Sequence, residues 1–156
     1  MSPPFTTRDV IARWLPVALW AVVISVLSSD SFSGEHTASL LRPVFEVLLP
    51  GAAPATIETA HAVTRKLAHV TEYAVLAVLV FRALERPGRT AMTLALATLA
   101  FCALYASFDE LHQSFVPSRG PSPVDVALDT FGAALGLAVR LVTWTPRVSA
   151  GRRSPA

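Results

Sequence analysis

The chain has 156 residues, of which 53% are hydrophobic and only 15% charged, with a formal net charge of +2. A soluble domain ordinarily carries about 25% charged residues, so the composition points to a membrane environment and the length to one domain. The arginines are scattered rather than gathered on one basic stretch, which argues against a nucleic-acid footprint, and a single cysteine, Cys102, excludes an internal disulfide.

A bilayer crossing needs roughly 20 mostly apolar residues. Residues 1–10 read as an N-terminal tail. Residues 11–28, "IARWLPVALWAVVISVLS", form the first apolar run, with Arg13 and Trp14 at its interfacial end. Its basic start also fits a cleaved signal peptide, but the following "SSDSFSG" has no A-x-A site, which argues for a retained span. In the long stretch before residue 66, "SLLRPVFEVLLPG" reads either as an amphipathic helix lying on the outer surface, where it would cover a site like a lid, or as a connecting loop with a hydrophobic anchor. Three more runs follow, at residues 66–84, 91–108 and 124–144. Residues 145–156 read as a basic tail. The expectation is an all-α integral membrane bundle of about four transmembrane helices within residues 11–144, with an interfacial helix in the first outer loop.

Lysine and arginine bias sets orientation. Arg8 and Arg13 precede span one, Arg82, Arg86 and Arg89 lie between spans two and three, and Arg140, Arg147, Arg152 and Arg153 end the chain. Both termini and the middle loop are therefore expected on the cytoplasmic side of the plasma membrane. The start of span two, the end of span three and the start of span four then share the outer level.

That level is where the polar residues concentrate. Lys66, His69 and Glu72 or Tyr73 recur along one side of span two. Tyr105, Asp109 and His112 recur along span three, with Glu110 and Gln113 beside them. Asp125, Asp129, Gly132 and Gly136 follow i, i+4, i+7, i+11 on span four. Gly132 and Gly136 form a G-x-x-x-G pair that admits a close neighbouring helix, so the aspartates on that side are expected to face protein. Lys66, Arg65 or Arg119 are the candidate partners for Asp129. A mid-span charge costs roughly 2.5–3.5 kcal/mol on insertion scales, which favours an inward orientation. The run "DELHQ" reads either as a site for acid–base chemistry or as a helix end whose side chains bind backbone and one another. Lys66 and His69 read equally as a snorkelling lysine and a core histidine. Tyr105 and Trp14 read as interfacial aromatics. Arg119, in a loop stiffened by Pro117, Pro121 and Pro123, is placed to clamp a phosphate or carboxylate or to pair with Asp109 or Asp125. No H-E-x-x-H, Walker or dinucleotide motif is present, so no metal and no cofactor is assigned.

Three stretches, "KLAHVTEYAVLAVL", "YASFDELHQSFVPSR" and "SPVDVALDTFGAALG", together resemble the VanZ-like membrane proteins. The residues that carry the resemblance are Lys66, His69 and Tyr73; Asp109, Glu110, His112, Gln113 and Arg119; and Asp125, Gly132 and Gly136. Asp129 departs from the pattern, standing where the family often has Asn. The resemblance implies a bacterial plasma-membrane protein whose founding relative is associated with teicoplanin resistance. It implies no particular reaction. Three functional classes stay open: an envelope protein whose outward polar pocket binds a glycopeptide, an envelope lipid or a cell-wall precursor; a membrane enzyme using Asp109, Glu110 and His112 as acid–base groups; and a carrier of a small solute or proton. Transport is the weakest of the three, since four short spans give little room and no inverted repeat is visible.

Overall fold

The computed structural model describes residues 6–28, 34–115 and 122–145, with the backbone alone for residues 34–40. Five helices follow in order: α1 (Thr7–Leu27), α2 (Gly34–Leu48), α3 (Pro54–Leu84), α4 (Ala91–Gln113) and α5 (Pro123–Val142). The N-terminal tail expected over residues 1–10 is shortened, because a capping box starts α1 at Thr7. Thr6 Oγ1 accepts from Asp9 N at 3.2 Å, and Thr6 N donates to Asp9 Oδ2 at 3.0 Å. Arg119 and most of the tail at 145–156 lie outside the described residues.

The second span begins at Pro54 rather than at residue 66. Hydropathy marks where a helix becomes apolar, whereas backbone hydrogen bonding continues until a breaker intervenes. No Gly or Pro interrupts residues 55–84, and Pro54 sits in the first turn, where its missing N–H costs nothing. With 31 residues at about 1.5 Å each, α3 is roughly 46 Å long, well beyond a hydrocarbon core of about 30 Å. Its N-terminal extension carries α2, whose main packing partner is α3. The helix read from "SLLRPVFEVLLPG" is thus present. It exposes Val44, Val47 and Leu48, at i, i+3 and i+4, along one stripe.

α1, α3 and α4 are long and apolar enough to cross a membrane by length and composition. α5 also has a span's length, with 20 residues, but it carries Asp125, Asp129 and Arg140. Asp125 and Asp129 have partners on α3 and Arg140 pairs with Glu85 at its C-cap, so each charge that lowers its hydropathy has a protein partner. α3 packs against each of the other four helices, most extensively against α5. That contact depends on the expected glycines. A Cβ on Gly132 would meet Val70 O at 2.5 Å, and one on Gly136 would come closer still to Ala74 O. The described core gathers Tyr73, Leu76, Ala77, Val80, Cys102, Ala106 and Ala133. Leu15, Leu19, Leu96, Leu104, Phe108 and Val139 stay exposed on the outside, as a lipid-facing surface requires.

The start of α1, the end of α3, the start of α4 and the end of α5 meet at one end of the bundle. There Glu85, only 6% exposed, ties three helices together. Its carboxylate accepts from Arg140 Nη2 at 3.3 Å and Trp144 Nε1 at 2.8 Å, and its backbone carbonyl accepts from Arg13 Nη1. Arg140 also lies over the Phe81 ring, 5.1 Å from its centroid.

Two outcomes are expected in a reversible unfolding assay in mixed micelles. Gly136→Ala should destabilise by about 1–3 kcal/mol through forced separation of α3 and α5, while Ala138→Leu on the exposed side of α5 should have little effect. Glu85→Ala should cost about 1.5–3 kcal/mol, the range for a hydrogen bond to a charged group. Unchanged unfolding midpoints would contradict both packing assignments.

Candidate functional site

The opposite end of the bundle collects the polar residues of α3, α4 and α5, joined by the end of α1. Two sets are distinct in their partners. The first is closed within the protein. Asp109 is buried, and its Oδ2 accepts from Ser28 Oγ at 2.8 Å and from Gln113 Nε2 at 2.8 Å. Glu110 Oε1 accepts from the backbone N–H of Ser122, just before α5. These bonds occupy carboxylate lone pairs and staple α4 to α1 and α5, so Asp109 and Glu110 serve the architecture in this structure.

The second set lines a cleft of about 120 Å³ bordered by Ala62, Arg65, Lys66, His69, Gln113, Asp125, Leu128 and Asp129. At its rim Lys66 Nζ donates to Asp125 Oδ1 at 3.0 Å, with both side chains substantially exposed (56% and 42%). Such a pair is worth about 0–1 kcal/mol, so it opens easily. At the floor His69 Nδ1 stands 3.4 Å from Asp129 Oδ1, within ion-pair distance but longer than good hydrogen-bond geometry. Neither atom makes a hydrogen bond, and both are shut off from solvent. The Asp129 side chain is 5% exposed and that of His69 20%, so the open part of the ring lies away from Nδ1. Tyr73, fully buried beneath them, also has an unpartnered hydroxyl. Buried polar groups are normally satisfied, which makes this floor unusual. Among the described residues no three His, Cys, Asp or Glu side chains are grouped to hold a metal ion.

The structure therefore brings Lys66, His69, Gln113, Asp125 and Asp129 to one cleft, with Tyr73, Asp109 and Glu110 buried nearby. Asp129 faces His69, a partner absent from the expected set, while Lys66 takes Asp125. His112 is exposed and stands apart from the buried carboxylates. The heptad step from Tyr105 to His112 drifts about 20° in a 3.6-residue helix, and the buried stripe runs instead through Cys102, Ala106, Asp109 and Gln113. Glu72 is half-buried, and its carbonyl accepts from Trp20 Nε1 at 2.9 Å. Tyr105, expected as an interfacial aromatic, also ties α4 to α1. Its hydroxyl donates to Ala21 O at 2.7 Å and lies 2.9 Å from Ser25 Oγ. Sequence reasoning missed the contribution of α1 through Trp20, Ser25 and Ser28. Serines near the end of an apolar run were the available signal, but nothing in their spacing names a partner on another helix.

A comparison with protein-family models matches residues 13–143 to the family described as VanZ/LLP1. Comparisons with curated proteins and with solved structures return no match.

The division between the two sets is testable by stability alone. Asp109→Ala should lower unfolding free energy by about 1–3 kcal/mol by leaving Ser28 and Gln113 unsatisfied, and His112→Ala should fall within about 0.5 kcal/mol of the parent. Equal effects from the two substitutions would refute the separation.

Proposed function

Because the chain belongs to the VanZ/LLP1 family, matched over residues 13–143, we propose that it is a bacterial plasma-membrane protein whose cleft binds the polar part of an envelope molecule. An envelope lipid, a cell-wall precursor or a glycopeptide of the teicoplanin type supplies such a group. The observation that carries this reading is the floor of the cleft, where His69 Nδ1 and Asp129 Oδ1 are buried without hydrogen bonds beneath a weak, exposed Lys66–Asp125 pair. A ligand that draws the floor residues together recovers hydrogen bonds that the free protein leaves unmade. The cleft faces outward in this reading. In support, Arg8, Arg13, Arg82, Arg86, Arg89 and Arg140 all belong to the other end.

A second reading is favoured by the same pair. A carboxylate facing Nδ1 fixes an imidazole so that its other nitrogen is free to take or give a proton. Acid–base chemistry at this site would therefore run through His69 and Asp129 rather than through the exposed His112. Transport through one copy is disfavoured, since Leu76, Ala77, Val80 and Phe81 pack fully buried between the site and the opposite end.

Binding can be measured with a labelled wall-precursor lipid, and separately with teicoplanin, on purified protein in nanodiscs. Lys66→Ala and Asp129→Ala should each weaken whichever probe binds by about tenfold, equivalent to about 1.4 kcal/mol, with Ala134→Leu unchanged. Affinity that ignores both cleft substitutions refutes the binding reading, and product formation lost in His69→Ala favours the second. For orientation, Ala62→Cys in a Cys102→Ser background should react with an impermeant thiol reagent on intact cells. Labelling only after the cells are opened would reverse the outward assignment.

A further inference from the structure

The cleft is one of two cavities on the same face of α3. The other, of about 180 Å³, lies between α2 and the N-terminal extension of α3, bordered by Arg42, Phe45, Pro54, Ile57, Glu58 and His61. On α3 the bordering positions run Pro54, Ile57, Glu58, His61 and then Ala62, Arg65, Lys66, His69. Steps of three and four residues hold all of them to one side of a helix. The cavities therefore stand end to end over residues 54–69, fifteen rises of about 1.5 Å, or roughly 22 Å.

Their chemistries differ and complement one another. The cleft has charges of both signs, Arg65 and Lys66 beside Asp125 and Asp129. A purely anionic group there meets the carboxylates, and a purely cationic one meets Lys66 and Arg65. A head carrying both charges can replace the Lys66–Asp125 pair and leave neither side chain alone. The upper cavity has apolar walls from Phe45, Pro54 and Ile57, while Arg42 is held by Glu46 at 2.9 Å. His61 borders this cavity one residue before Ala62 of the cleft, and its Nε2 is buried with no hydrogen-bond partner.

We infer that the two cavities are subsites of one elongated site, and that its ligand is an extended amphiphile with a zwitterionic head. The head, an ammonium with a phosphate or carboxylate, occupies the cleft. The apolar chain runs along α3 against Phe45 and Ile57, and a linking carbonyl or hydroxyl meets His61. This inference rests on the binding reading of the cleft and narrows it to a ligand class. A small ion or compact solute would leave the upper cavity unused.

The test uses the full chain in phosphatidylglycerol nanodiscs, whose lipid head has no ammonium, titrated calorimetrically against protein-free nanodiscs. The probes are glycerophosphoethanolamine, which is the head alone, and its short-chain and medium-chain monoacyl derivatives. Affinity should rise with chain length, by about tenfold from head to medium chain, as about 1.4 kcal/mol of apolar burial gives. Phe45→Ala should flatten that rise while leaving the head's affinity unchanged. Ile57→Trp, which fills the upper cavity, should do the same, and matched unfolding midpoints exclude misfolding as the cause. Asp129→Asn should weaken every probe alike. Head binding with no dependence on chain length overturns this inference alone, and failure of the head itself to bind overturns the cleft reading with it. Exchanging phosphatidylglycerol for phosphatidylethanolamine separates two sources of the same ligand. Competition supports a lipid of the surrounding leaflet, and its absence with the chain series intact supports a soluble amphiphile.

Discussion

The close approach of α3 and α5 is the contact on which the candidate site depends. Gly132 and Gly136 let the backbone of α5 lie against Val70 and Ala74 with no room for a Cβ. Between apolar helices in a bilayer, hydrophobicity gives no net preference for one partner over lipid, so packing and cross-helix hydrogen bonds must hold them together. The glycine seam supplies the packing; about one turn beyond Gly132 Asp129 reaches His69, and about two turns beyond it Asp125 reaches Lys66. A wider crossing would leave each of those carboxylates facing a gap.

The bundle places polar interactions at both ends and a packed apolar layer between them. At the end with the chain's arginine-rich loop, Glu85 is satisfied twice on its carboxylate and once on its carbonyl. At the other end Asp109 and Glu110 are satisfied as well. The His69–Asp129 floor is different, because its buried polar atoms are left without hydrogen bonds although they are near neighbours. Desolvating such groups costs about 1–3 kcal/mol each unless they are paired. A fold that satisfies its carboxylates so fully elsewhere and not here separates structural acids from those available to a ligand.

Much of this was legible in the residues. Long uncharged runs gave the helical membrane class, and the G-x-x-x-G pair with its aligned aspartates gave the buried face of α5. The charge bias set which helix ends should meet, and the bundle brings the same ends together. What could not be read were roles within the "DELHQ" run. Asp109, Glu110 and His112 are close in sequence and equally polar, yet a rotation of some tens of degrees about α4 decides that the first two are buried and the third exposed. Tyr105 and Ser28 are similar cases. Each is an ordinary residue near the end of an apolar run until a partner from another helix stands 3 Å or less away.

The sequence by itself determined the class of fold, the helices available and the end of the bundle at which the site's ionisable groups gather, because these follow from local hydropathy, spacing and charge. Only the tertiary structure decided that Asp129 faces His69, that Asp109 is held by Ser28 and Gln113, and that α3 starts at Pro54 with a cavity along its extension. Those outcomes depend on how helices are rotated and how closely they cross, which is fixed by contacts between residues as much as 84 positions apart in the chain.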